Sequence, residues 1–232
     1  MDKNIHEIQG EILKALLLKE SARFSELNTK KLSTDQLTFH IKQLLAGGVI
    51  EKTENGSYRL TIKGKEYANR FDIDSGPVKI EQQAKLGVLI MVAQGAGRKR
   101  EFLMQTRLKQ PFFGFRGFVT GKIKAGESVF ETAERELWEE TGLRAKLEHK
   151  AIQHERIFSE SNELLEDKYF YLFLANDATG ELKVDFEGGK NEWFAEIDVV
   201  RGNVFYDMAD LLVLANGKQF VFQEKSYIVK KY

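Results

Sequence analysis

The sequence predicts a mixed α/β (α+β) sandwich, preceded by a small domain of short helices and one hairpin. Three observations carry this prediction. Apolar residues recur at helical spacing through the first seventy residues, then Asn55-Gly56 separates two short strand-like runs. After the polar stretch Asp72–Pro77 the pattern turns strand-like, beginning with the nearly continuous apolar run Leu86–Val92. One strongly amphipathic helix, about Ser128–Thr141, then interrupts the strands.

In chain order, Ile8, Ile12, Leu13, Leu16 and Leu17 mark a first helix and Ala22–Leu27 a short second one. Ser33 is an N-cap for a third, reaching about Ala46, with Leu37, Ile41, Leu44 and Leu45 as its buried stripe and Gly47-Gly48 as its stop. Val49–Lys52 and Ser57–Leu60 form the hairpin, and Lys63–Phe71 a last helix. Residues 1–72 are thus one domain, 73–83 a linker and 84–232 a second domain. In the second, strands are expected at Leu86–Val92, Glu101–Arg107, Tyr169–Leu174 and Phe220–Val229, with a helix over Val204–Ala215.

Composition excludes several function classes. Lys+Arg and Asp+Glu both number 35 in the 232 residues, which argues against nucleic-acid binding by bulk charge. There is no cysteine, so disulfide staples, thiolate catalysis and cysteine zinc sites are excluded. The charged N-terminus is no secretory signal, and no apolar run approaches a membrane span, so a cytoplasmic protein is expected.

The chemistry concentrates in Gly121–Leu143. Its helical part starts at Ser128 and stops at Gly142, with Val129, Ala133 and Leu137 facing the core. Glu136, Glu139 and Glu140 cluster on another face, where like charges repel and a cation would relieve them. Such hard oxygen ligands suit Mg²⁺ or Mn²⁺. The planar fork of Arg135 is suited to pair with Glu127 and fix the carboxylates. Gly121, Glu127, Arg135, Glu136, Leu137, Glu139, Glu140, Gly142 and Leu143 fill every specified place of a pattern that chance would match on the order of once in 10⁹ windows.

This segment resembles the Nudix hydrolase signature. The resemblance, over about residues 84–232, implies an α/β/α sandwich with a mixed sheet and a Mg²⁺- or Mn²⁺-dependent pyrophosphohydrolase. Its substrate would be nucleotide-like, with a phosphoanhydride bond cleaved by in-line attack of water. It also implies a backbone carbonyl ligand at Thr120, where many members have glycine, and a further carboxylate beyond the helix. Glu187, five residues before Glu192-Trp193, resembles that residue in MutT-like members, as metal ligand or general base; Glu166 is the reserve, and Asp167 reads as plain loop charge. Either Glu136 or Glu187 takes the water proton. Arg116 and Lys122 are candidates for substrate phosphates and Phe115 for stacking on a base, although phenylalanines before a strand are more often core.

The N-terminal order of elements resembles a winged helix-turn-helix domain, similar to that of small bacterial repressors. That resemblance implies duplex DNA as a partner, with Gln36, Lys42 and Gln43 on the third helix and Arg59 on the wing as contacts. The domain carries 12 Lys+Arg against 10 Asp+Glu, a small surplus for that role. An accessory module on an enzyme leads, with a nucleotide-sensing transcriptional regulator as the alternative and a homodimerisation module as a third option.

Overall fold

In the computed structural model, which describes residues 6–72 and 78–232, the chain divides into two compact units, Met1–Gln82 and Gln83–Tyr232. Of the expected linker, 73–83, residues 73–77 lie outside the described residues, and Lys79–Ile80 form a short strand.

In the first unit, α1 (Glu7–Leu17) buries Ile12, Leu13 and Leu16 on the expected stripe. Ser33 caps α2 (Thr34–Ala46) in a reciprocal box with Gln36, and Leu37, His40, Ile41 and Leu44 are buried. β1 (Ile50–Lys52) and β2 (Tyr58–Leu60) pair antiparallel across Asn55-Gly56, with Gly56 at φ +83°. Two expectations are corrected. The second helix is only a 3₁₀ turn, Phe24–Leu27, because Ala22 is drawn into backbone bonding with Tyr58 beside the hairpin. The last helix, α3 (Ile62–Ala68), stops short of Phe71, which joins β3 (Phe71–Asp72) opposite β4 (Lys79–Ile80).

The second unit is a mixed α/β fold around one nine-stranded sheet. Its strands are β5 (Lys85–Gln94), β6 (Glu101–Arg107), β7 (Arg116–Gly117), β8 (Val119–Lys122), β9 (Leu143–Ser159), β10 (Leu164–Gly180), β11 (Asp185–Phe186), β12 (Gly189–Ala195) and β13 (Val221–Val229). The order is β11-β12-β6-β5-β10-β9-β13, with β7 beside β6 and β8 beside β5. β10 runs parallel to β5 and β13 parallel to β9; the other pairs are antiparallel.

Two helices, α4 (Val129–Thr141) and α5 (Met208–Asn216), cover opposite faces. The alternation of β5 shows this directly. Val88, Ile90 and Val92 pack with Ala133 and Leu137 of α4, while Leu89, Met91 and Ala93 pack with Leu211 and Leu214 of α5. The expected helix over Val204–Ala215 begins only at Met208, since Val204 bridges to Arg116.

One feature of the sheet positions the site. β5 and β6 pair only at Ala93–Phe102 and Gln94–Glu101. Beyond that β8 takes the place of β6 beside β5, and β7 pairs with the far end of β6. Gln105, Thr120 and Gly121 lie where the strands part, and all three line a cavity of about 690 Å³. Among the described residues, no helix is long and apolar enough to cross a membrane.

Candidate active site

The helix that carries the glutamates is specified locally at both ends. Ser128 accepts the Glu131 N–H while Glu131 accepts the Ser128 N–H at 2.8 Å, so Glu131 is a capping residue rather than a site residue. Gly142 ends the helix at φ +72°, and a Cβ there would stand 2.6 Å from the Glu181 carbonyl oxygen. Leu137 and Ala133 anchor the opposite face in the core.

Arg135 organises the carboxylates. Its Nε and Nη2 donate to the two oxygens of Glu127 at 2.7 and 2.8 Å, and its Nη1 donates to Glu136 at 2.7 Å and Glu139 at 3.2 Å. Glu127 also accepts from the Thr132 hydroxyl and the Lys124 N–H. The Arg135 fork, aided by these bonds, holds the Glu127 carboxyl down at about 2. Because this pKa is depressed in the folded state, the pair's contribution is present above the usual carboxylate range and is lost as pH falls through the folded value. Glu127→Gln is therefore expected to flatten the loss of thermal stability between about pH 4.5 and 2. Melting curves across that range test this, and an unchanged acid limb would contradict it.

Gly121 explains itself sterically. A Cβ at this position would lie 2.0 Å from Cγ of Glu136 and 2.5 Å from its Oε1, so the glutamate is seated on bare backbone. Glu136 and Glu140 both line the cavity. Glu140 is half-buried, accepts the Gln105 Nε2–H at 3.0 Å, and has its carboxyl pushed up by burial. Glu139 departs from the expected cluster: its side chain is 53% exposed, turned to Arg135, and does not line the cavity. Among the described residues no three acidic or histidine side chains converge as a ready-made cage.

The donor chemistry nevertheless fits a hard divalent cation. Mg²⁺ commonly takes one or two carboxylates and completes its shell with water and substrate phosphates. Glu136 and Glu140 supply two, and Thr120 lines the same cavity from β8 without the positive φ that would demand glycine.

Other sequence expectations are redistributed. Glu187 is exposed in the β11–β12 turn and lies outside the cavity, although Phe186 and Gly188 line it, because the tight hairpin turns its side chain to solvent. Glu166 is the acid beyond the helix that does line the cavity; its side chain is 8% exposed, bound by Lys85 at 2.8 Å and the Tyr232 hydroxyl at 2.8 Å. Asp167 is no loop charge: it sits in β10 and meets His154 Nε2 at 2.9 Å. Lys122 lines the cavity, joined by Lys109 and Lys124. Arg116 does not; its guanidinium donates to the Arg201 carbonyl at 2.6 Å and lies over Phe194. Phe115 packs against Phe112 and Phe205 and is likewise outside the cavity.

Sequence reasoning missed the far wall. Glu155 and Lys168 come from β9 and β10, Tyr206 and Asp207 from the approach to α5, and Phe170 and Met208 add apolar surface. The Tyr206 hydroxyl donates to Glu155 at 2.8 Å, and burial beside Glu155 holds the Asp207 carboxyl well above its usual range. The one available signal was polar residues at inward positions of a strand, at Gln153 and Glu155.

The NUDIX domain family model matches residues 83–218, more than half of the chain. The chain belongs to the NUDIX family. Among solved structures, the NUDIX unit is similar to a MutT protein from Bacillus halodurans, with TM-score 0.53 and 25% identity over 62% of this chain and 90% of that one. It also shares the fold of the NUDIX domain of Shewanella oneidensis NrtR, crystallised with ADP ribose, at TM-score 0.50 and 19% identity over 65% of this chain and 94% of that one. A curated relative, an octanoyltransferase from Myxococcus xanthus, is 33% identical over 114 residues. The match spans 48% of this chain and 30% of that protein's length. The NUDIX family supports hydrolase action on phosphoanhydrides, generally with divalent metal ions such as Mg²⁺.

Proposed function

We propose that the second unit is a Mg²⁺- or Mn²⁺-dependent pyrophosphohydrolase that cleaves a phosphoanhydride bond of a nucleoside-diphosphate-linked substrate. One observation carries this reading: a single cavity holds Glu136 and Glu140, the cations Lys109, Lys122 and Lys124, and the rings of Phe170 and Phe205. Carboxylates for a divalent cation, ammonium groups for phosphates and aromatic surface for a base are what such a substrate needs side by side.

When bound, the cation supplies charge neutralisation on the phosphoryl oxygens and acidifies a water. Glu136 and Glu140, with the Thr120 carbonyl, would hold it. Arg135 fixes Oε1 of Glu136, leaving the second oxygen of that carboxylate to take the proton of the attacking water. Glu136 is favoured over Glu187 as base because only Glu136 faces the cavity. Lys109, Lys122 and Lys124 orient the diphosphate, and Gln105 holds Glu140 in place.

The first unit is proposed as an accessory winged-helix module that meets duplex DNA. On α2, Lys42, Gln43 and the 58%-exposed Phe39 face solvent. Gln36, expected to read bases, instead turns its carbonyl back to cap Ser33, and Arg59 is paired with Glu51 at 2.6 Å. This exposed helix favours a second reading, a nucleotide-sensing transcriptional regulator with a NUDIX effector domain.

Phosphate-coupled turnover on a panel of nucleoside-diphosphate-linked compounds, ADP-ribose included, separates the two. Cation-dependent turnover by the wild type that is absent from Glu140→Gln is the expected result. No turnover, with a panel member raising the melting temperature, would replace the enzyme by the regulator.

A further inference from the structure

We propose that Gln105 and Asn191 form a cross-strand pair of positioning residues that orients Glu140 for the divalent cation. The inference rests on the reading of Glu140 as a cation ligand. Its geometry is independent of that reading. Gln105 on β6 and Asn191 on β12 stand directly opposite each other in the antiparallel ladder, so their side chains leave the same face. Both are buried, at 8% and 2% exposure.

The two amides grip one residue from two sides. Gln105 Nε2 donates to Glu140 Oε2 at 3.0 Å. Asn191 Nδ2 donates to the Glu140 main-chain carbonyl at 2.8 Å and to the Lys183 carbonyl at 2.7 Å. The carbonyls in the last turn of a helix lack intrahelical partners, so Asn191 meets one that needs a donor and ties the end of α4 to β12. With both its protons committed, the Asn191 amide has one orientation, and its Oδ1 has no partner among the described residues.

The chemical type of the pair matters as much as its placement. A lysine or arginine at position 105 would orient Glu140 by neutralising it and so compete with the cation. A neutral amide fixes Oε2 by one hydrogen bond, leaves Oε1 open and keeps the full negative charge available. Among the described residues, Gln105 is the side chain whose hydrogen bond sets the Glu140 carboxylate.

The test is Mn²⁺ binding to substrate-free protein, read from the electron paramagnetic resonance of free Mn²⁺, beside melting curves in EDTA. Gln105→Met keeps volume and removes the donor; it is expected to weaken Mn²⁺ about 10- to 100-fold with the fold retained. Gln105→Asn, a methylene too short to reach Glu140, gives the same readout if the methionine variant does not fold. Because both amides act through Glu140, Asn191→Ala combined with Gln105→Met is expected to lose less than the product of the single losses. Wild-type affinity in both Gln105 variants, alongside lost binding in Glu140→Gln, would overturn the positioning role and leave the ligand role of Glu140 standing. Multiplicative losses in the double variant would overturn the pairing. Wild-type affinity in Glu140→Gln itself would remove the ligand reading and this inference with it.

Discussion

Replacing Glu140 by glutamine is expected to abolish cation-dependent turnover and to raise the melting temperature of the cation-free protein at neutral pH. Both effects have one cause. Burial is the largest influence on the Glu140 carboxyl and raises its pKa; Gln105 lowers it, Glu136 raises it again, and Lys109 and Arg107 offset only part. A carboxyl whose pKa is raised by folding binds its proton more tightly in the folded state. Its contribution is therefore most favourable below the unfolded value of 4.5 and is lost as pH rises through the raised folded value. At neutral pH the ionised group is a liability that an isosteric amide removes. The gain is read as a higher melting temperature than that of the wild type at pH 7. Calorimetry in EDTA at pH 7 and pH 4 checks the sign, because the gain must shrink at the lower pH. Unchanged turnover would show that Glu140 is no working ligand, and a lower melting temperature at pH 7 would show that it is no strained acid.

Gly121→Ala is the second large effect. The added methyl would occupy the space of the Glu136 side chain, 2.0 Å from Cγ and 2.1 Å from Cδ. Glu136 must swing away, losing its seat and its 2.7 Å bond from Arg135. A displacement of about 1 Å at a reacting group costs on the order of 10²-fold. The expected outcome is a fall in kcat of at least that size, with the melting curve changed far less than by a buried truncation. Wild-type kcat in this variant would mean that Glu136 neither binds the cation nor takes the proton.

These two residues were legible in the sequence, and the reason is physical. Gly121, Glu136 and Glu140 belong to one local segment, where helix periodicity and close backbone approach leave a pattern in consecutive residues. The helix cap at Ser128 and the strand core from Val88 to Val92 were readable for the same reason, although Leu86, at the start of the expected run, is 52% exposed. What escaped was nonlocal. β9 runs for 17 residues, yet a bulge that leaves Lys150 unpaired between His149 and Ala151 breaks its alternation, and buried Gln153 and Glu155 disguise its inward face. Gln105 and Asn191 lie 86 positions apart and meet only through ladder register, which no single stretch of chain displays. Glu187 shows the reverse: its spacing to Glu192-Trp193 singles it out in the sequence, whereas the fold places it exposed in a tight hairpin turn.

The alternation along β5 has a consequence for how this chain tolerates length changes. Val88, Ile90 and Val92 belong to one core, and Leu89, Met91 and Ala93 to the other. Deleting any one residue among them would put the residues on one side of the cut out of phase with those on the other. Each displaced side chain would then enter the wrong core, and the partners of β5 in β8 and β10 would be met one position late. Substitutions of similar volume disturb one core at a time, whereas a single deletion disturbs both at once. The β5–β6 turn at residues 95–100 carries exposed glycines, and a surface turn of this kind is where such changes are expected to be tolerated. Insertions and deletions in this protein should therefore accumulate at that turn and spare the strand beside it.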